Sequence, residues 1–224
     1  MPNLETIEQQ TADTVQYSII WLHGLGADAN DFVPIIPALN FSPSIGIRFI
    51  FPNAPVRPIT INNGMVMRGW YDILSLERIE SAEDNQGLYN SKQAIEALIQ
   101  QENIRGIPSE RIFLAGFSQG CAMSLFTGLR YSERLAGIIG LSGYLPLYKQ
   151  TAIEASPINK DIPIFLAHGT VDPVVPLYLA QRSRDYLIEQ GYTIQWHEYP
   201  MAHQVSNEEI VDIASFIHHI IHNK

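Results

Sequence analysis

The sequence predicts an α/β fold, with a mostly parallel central sheet and helices on both faces. Three observations carry this. Short runs rich in β-branched and aromatic residues recur along the 224 residues. Segments with helical periodicity lie between them. Most of the runs lack polar alternation, as strands covered on both faces should. Strands alternating with helices build right-handed βαβ units, and hence a parallel sheet.

In chain order, the first strand is VQYSIIWL at 15–22 and the second GIRFIFP at 46–52. Residues 53–82 then precede the next long helix, and structureless connections of that length are uncommon and usually functional. Within them TINNGMVM (60–67) reads as a small hairpin turning at Asn63-Gly64. The following RGWYDILSLE carries Trp70, Ile73, Leu74 and Leu76 where a solvated loop would be polar. In 84–104, Leu88, Ser91, Ile95, Leu98 and Ile99 share one helical face. RIFLAGF (111–117) is the third strand, with a short helix over 119–130. LAGIIGLS (135–142) and DIPIFLAH (161–168) are the fourth and fifth. A helix over 177–190 leads to YTIQWHEY (192–199), and Ser206 caps a last helix whose face is Ile210, Ile213, Ala214, Ile217 and Ile221. Without repeats, low-complexity tracts or a linker, residues 1–224 read as a single domain.

The charge balance narrows the function. A formal charge of −9 with 14 Lys plus Arg leaves no basic stripe to meet phosphates. That argues against nucleic acid and against electrostatic attachment to anionic membranes. The uncharged, glycine-rich stretch 135–148 is broken by Gly137, Gly140, Gly143 and Pro146. It is shorter than the roughly 20 apolar residues of a membrane span, so no integral membrane association is expected. Cys121 is the only cysteine, which excludes an intramolecular disulfide and fits a reducing compartment. The first residues, MPNLETIEQQTADT, show neither a basic nor an apolar signal region. A cytoplasmic location is the expectation.

The third strand ends in Gly116-Phe117-Ser118-Gln119-Gly120. Roughly one chain of this length in ten to twenty carries G-x-S-x-G by accident at ordinary residue frequencies, so the pattern needs its context. The context fits: a strand precedes it and a helix follows. A serine hydroxyl is a poor nucleophile unless it is exposed on a sharp turn beside a base, and a strand-to-helix elbow presents it that way. The glycines relieve contact where strand and helix pass closely. The Gln119 amide then faces the place where an oxyanion would form.

Such a nucleophile requires an acid and then a base, each beyond a later strand. After 161–168 comes GTVDPVV with Asp172, and after 192–199 comes PMAHQV with His203. A parallel sheet brings these strand ends to one edge. His168 precedes Asp172, so its order is wrong for the base and it reads as structural. His197 lies inside a strand. His218, His219 and His222 crowd the last helix, where solvated or cationic residues explain them better than a metal does. Cys121 reads as a small buried thiol. WLHGLGAD (21–28) follows the first strand, and its Gly24 and Gly26 let the Leu25 amide act as second oxyanion donor, with a plain glycine turn as the alternative.

With these motifs the chain resembles the acyl-protein thioesterase family, also described as phospholipase/carboxylesterase, of the α/β-hydrolase fold. LHGLGAD, FPNAPVRPITINNGM, RGWYDI, AGFSQG, LSGYLP, HGTVDPVVP and YPMAH occur in family order over nearly the whole sequence. The PVRPITINNGM run is similar to bacterial carboxylesterase members. The resemblance implies a Ser118, Asp172, His203 triad, an oxyanion hole from Leu25 and Gln119, and a loop around Ile73 and Leu74 covering an acyl groove. Trp70 and Val175 join them as expected substrate contacts, although Trp70 and Asp72 could instead hold the loop. Ala202 and Cys121 stand where the family often has glycine, and Gly69 where alanine is common; these departures bear on substrate preference rather than mechanism.

The expected activity is hydrolysis of a carboxylic ester or thioester through an acyl-serine, with no cofactor and no metal. The expected substrate is a small acyl ester or thioester, with an acylated protein or a lysophospholipid as further expectations. The family includes homodimers, though no sequence feature here demands one. Two rivals stand beside this reading. One is a non-catalytic ligand- or protein-binding scaffold of the same fold, against which the intact Ser/Asp/His set speaks. The other is a serine peptidase, which commonly carries an extra propeller or cap that 224 residues do not accommodate.

Overall fold

A computed structural model describes residues 4–42, 44–75 and 83–223. Its core is a seven-stranded sheet in the order β1-β3-β2-β6-β7-β8-β9. The strands are β1 (Thr6–Gln10), β2 (Tyr17–Leu22), β3 (Ile47–Pro52), β6 (Ile112–Phe117), β7 (Gly137–Leu141), β8 (Ile164–Gly169) and β9 (Ile194–Tyr199). All neighbours pair in parallel except β1, which runs antiparallel to β3 from Thr6↔Pro52 to Gln10↔Arg48. The six expected strands are therefore present, and β1 is an addition. It escaped notice because an edge strand pairs on one side only and keeps polar residues in water; Glu8, Gln9 and Gln10 are exposed.

The missing polar alternation has a direct cause. Along β2, Tyr17, Ile19 and Trp21 join one hydrophobic cluster while Ile20 and Leu22 join the other. β6 divides likewise, with Phe113 and Ala115 on one face and Ile112 and Leu114 on the other. Successive strand side chains point to opposite faces, and both faces here are covered by helices. One layer contains α2 (Asn85–Ile104) and α3 (Gln119–Gly128), the latter buried along its whole length. The opposite layer contains α1 (Ile35–Leu39) and α6 (Asn207–His222). α5 (Leu177–Glu189) connects β8 to β9, and α4 (Tyr148–Glu154) follows β7. α1 and α4 are too short to leave a periodic signal. At the start of α6, Ser206 and Glu209 form a reciprocal capping box.

The hairpin is wider than its sequence signal. β4 (Val56–Ile59) and β5 (Met65–Arg68) pair from Val56↔Arg68 to Ile59↔Met65, so its first strand starts before the expected 60–67 window. Asn63 and Gly64 turn the chain with φ of 55° and 75°, the left-handed region that this dipeptide supplies. Leu76 lies outside the described residues. Among the described residues, no helix is long and apolar enough to cross a membrane.

Candidate active site

The sheet's parallel register brings the ends of β2, β6, β8 and β9 to one edge. Ser118 is the single residue between β6 and α3, with φ 55° and ψ −116°. An L-residue held there carries about 1–3 kcal/mol of strain, sustained by its surroundings. The Ser118 N–H donates to Leu141 O at 2.8 Å and its carbonyl accepts from Ala122 N–H at 3.2 Å. Both flanking glycines are sterically required. A Cβ on Gly116 would lie 2.3 Å from the Gly120 backbone, and one on Gly120 would lie 2.1 Å from Leu22 O.

Asp172 follows β8 and is buried. Its Oδ1 accepts the Val174 and Val175 N–H groups at 2.8 and 2.9 Å. Its Oδ2 lies 2.7 Å from His203 Nδ1. A buried carboxylate accepts, so His203 Nδ1 donates and Nε2 is left with the lone pair a base needs. The His203 ring rests 4.7 Å from that of Phe117, the residue before Ser118. Among the described residues Ser118 and His203 form no hydrogen bond to each other, but they line one cavity; such contacts often tighten only when substrate arrives.

That cavity has a volume of about 270 Å³. Leu25, Gln119, Ile73 and Val175 line it together with Ser118 and His203. Ile61, Asn62, Tyr71, Tyr144 and Val174 also line it and were not anticipated. Tyr71 and Tyr144 meet hydroxyl to hydroxyl at 3.1 Å, and burial raises the pKa of both phenols. Tyr144 lies just beyond β7, so the rule that strand ends build the site could have flagged it. Size does not select this cavity. One of about 750 Å³ between residues 39–42 and α6 contains neither Ser118 nor Asp172.

Trp70 and Leu74 are not brought to the cavity. Leu74 is exposed, and Trp70 is fully buried as a strut. The Trp70 N–H donates to Gln119 Oε1 at 2.8 Å, and its indole N–H donates to His23 O at 2.9 Å. The Gln119 side chain also donates to Tyr71 O at 2.7 Å. Asp72 accepts the Thr60 N–H and hydroxyl at 2.7 and 2.6 Å. Both residues hold the loop, the alternative stated above.

The Leu25 and Gln119 amides donate to no protein acceptor among the described residues, and both residues line the cavity with Ser118. His168 is buried behind Asp172. Its Nδ1 has no partner among the described residues, so Nε2 carries the proton and donates to Val175 O at 2.8 Å. Burial lowers its pKa, partly opposed by that bond and by Asp172, and the neutral ring braces the loop that carries Asp172. Burial pushes the Cys121 thiol far up, which makes it inert. His218 and His222 stack at 3.8 Å on an exposed face of α6. Among the described residues, no three His, Cys, Asp or Glu side chains converge to hold a metal ion.

A family model described as Phospholipase/Carboxylesterase matches residues 3–221. The acyl-protein thioesterase 1 of Schizosaccharomyces pombe is 41% identical over 207 residues, 91% of this chain and 91% of the relative. That of Mycosarcoma maydis is 40% identical over 218 residues, again 91% of each. The crystal structure of Arabidopsis thaliana SOBER1 superposes with a TM-score of 0.87 at 33% identity, covering 92% of this chain and 100% of that one.

Proposed function

The chain belongs to the phospholipase/carboxylesterase family of α/β-hydrolases, and on that premise we propose that it is a serine hydrolase of acyl esters or thioesters with Ser118, Asp172 and His203 as its triad. The observation that carries this reading is the 2.7 Å His203–Asp172 hydrogen bond beside a cavity that Ser118 shares.

His203 Nε2 takes the Ser118 proton as Oγ attacks the acyl carbon. Asp172 holds the imidazole tautomer and stabilises the imidazolium. The Leu25 and Gln119 amides bind the tetrahedral oxyanion; losing one such donor costs about 10²–10³ in turnover. The C–O or C–S bond to the leaving group breaks, and that group leaves with the proton from His203. Water then gives its proton to His203 and its oxygen to the acyl carbon, which frees the acid and restores Ser118.

Ile61, Ile73, Val174 and Val175 form the acyl wall, and the loop from 53 to 75 covers it. The volume sits just below the usual range of about 300–1,000 Å³ for small-molecule pockets, so it encloses a few carbons and lets longer chains leave through its mouth. Acylated protein and lysophospholipid are the macromolecular and lipid forms of the same acyl substrate. A cytoplasmic location is supported by the single, buried cysteine. The direct test is covalent labelling by a fluorophosphonate followed by peptide mapping. Label on Ser118, lost on prior heating, is the expected result; an unlabelled native protein refutes the assignment.

A further inference from the structure

His23 takes no part in the chemistry above, yet it is 1% exposed and fully committed to hydrogen bonds. The Ala54 N–H donates to its Nε2 at 3.0 Å. Nε2 therefore carries a lone pair, and in the neutral ring the proton sits on Nδ1. Nδ1 lies 2.6 Å from Gly24 O, so it donates there. Burial lowers the pKa of the ring and keeps it in this neutral form.

The Gly24 carbonyl and the Leu25 amide belong to the same peptide unit. In a trans peptide they point in opposite directions, and the described residues contain no cis bond. Fixing Gly24 O on the imidazole therefore aims the Leu25 N–H away from His23, on the side where Leu25 borders the Ser118 cavity. Gly24 itself lies against the nucleophile, since a Cβ there would stand 3.4 Å from Ser118 Cβ. The pin is needed because glycine leaves its peptide free to rotate. Three further bonds hold the turn: Trp70 Nε1–H to His23 O at 2.9 Å, Gly26 N–H to Arg68 O at 2.8 Å, and a longer one from Ala27 N–H to the Gly24 carbonyl at 3.3 Å.

We propose that His23 is a positioning residue that sets the Leu25 amide as an oxyanion donor through its hydrogen bond to the Gly24 carbonyl. This rests on the hydrolase reading, in which that amide meets the oxyanion.

Two substitutions divide the ring's roles. Asn reproduces the Nδ1 donor and Gln the Nε2 position. His23→Gln therefore keeps a partner for Ala54 and leaves the Gly24 carbonyl only the longer bond from Ala27 N–H, whereas His23→Asn keeps the short Gly24 bond and takes the partner from Ala54. With p-nitrophenyl butyrate, His23→Gln should lose about 10²-fold in kcat with KM within about threefold, and His23→Asn should recover to within about tenfold of wild type. A trifluoromethyl ketone, which presents an oxyanion, should lose affinity in parallel with kcat in the Gln variant. Equal kcat in the two variants, or the better kcat in the Gln variant, overturns the proposal. Should either variant fail to fold, 15N NMR of the wild-type histidines decides, because a ring protonated on Nε2 overturns it outright. Ser118 labelling of the wild type separates the two readings: with label present, equal variants defeat only the His23 role, and without it both fall.

Discussion

Gln119 Oε1 accepts the backbone N–H of Trp70 at 2.8 Å, which ties the helix that follows Ser118 to the loop roofing the cavity. The same amide group donates to Tyr71 O at 2.7 Å, so one side chain clamps two consecutive residues. Gln119→Ala keeps the backbone amide and removes the clamp. It leaves the Trp70 N–H and Tyr71 O buried without partners, at about 1–3 kcal/mol each. We expect a lower melting temperature and a fall in kcat/KM that resides mainly in KM, measured by steady-state kinetics beside thermal denaturation. A loss confined to kcat would contradict the clamp.

The choice of base is tested by two histidines. Ser118→Ala should lower kcat by several powers of ten, as removal of such nucleophiles does. His203→Gln should be nearly as damaging. His168→Gln reproduces the Nε2–H that braces Val175 O, so kcat should stay within about tenfold while stability falls. Equal losses at positions 168 and 203 would undo the choice of His203.

The elbow glycines give the sharpest steric prediction. In Gly120→Ala the new methyl meets Leu22 O, and in Gly116→Ala it meets the Gly120 backbone, neither of which can swing aside. Each variant should be destabilised by more than about 3 kcal/mol. Gly64→Ala, whose Cβ meets nothing within 4 Å, should cost only the strain of its φ of 75°. Urea titrations rank the three, and an unaffected Gly120→Ala would show that the close approach is not rigid.

These contacts explain what could be read from the sequence. Ser118 and Asp172 were legible because each follows a buried strand, and His203 because it follows β9, the half-buried edge strand beside β8; parallel strands deliver their ends to one edge. The elbow glycines were legible because the steric demand is local. Trp70 and Leu74 were harder. A loop has no periodicity that tells which side chain turns inward, and here Ile73 faces the cavity while Leu74 faces water. The Tyr71–Tyr144 contact joins residues 73 apart in sequence, and no local signal encodes it. Likewise His23 could be read only as part of a glycine turn until Ala54 supplied its second partner.

Glu209 should give stability a distinctive pH dependence. It is buried at the third position of α6, its Oε1 has no partner among the described residues, and burial pushes its pKa up to about 8. Between its ordinary value of 4.5 and about 8 the unfolded chain releases this proton and the native chain keeps it. Stability therefore falls as pH rises through that window, by about 1.4 kcal/mol per unit. His23 and His168 act oppositely: their lowered values make the unfolded chain the better proton acceptor below their ordinary 6.5, so stability is lost as pH falls there. Glu209→Gln keeps the capping geometry and isolates the first effect. The gap in melting temperature between variant and wild type should widen from pH 5 to pH 8 and then level off; a constant gap would refute the shift.

Acyl-chain preference follows from the shape of the cavity. Ile61, Ile73, Val174 and Val175 offer apolar walls, and each methylene they cover contributes about 0.8 kcal/mol of binding. The enclosed volume of about 270 Å³ ends that gain after a few carbons, because further methylenes extend through the mouth into water. In a p-nitrophenyl ester series kcat/KM should rise from acetate to a short or medium chain and then flatten or fall. Ile73→Ala should shift the optimum toward longer chains while lowering its height, since the truncated side chain widens the wall and removes contact. Pairing each oxygen ester with its thioester separates the acyl wall from the leaving group, as both pass through the same acyl-Ser118. A steep decline with every added carbon from two upward would mean that these residues do not bind the acyl chain.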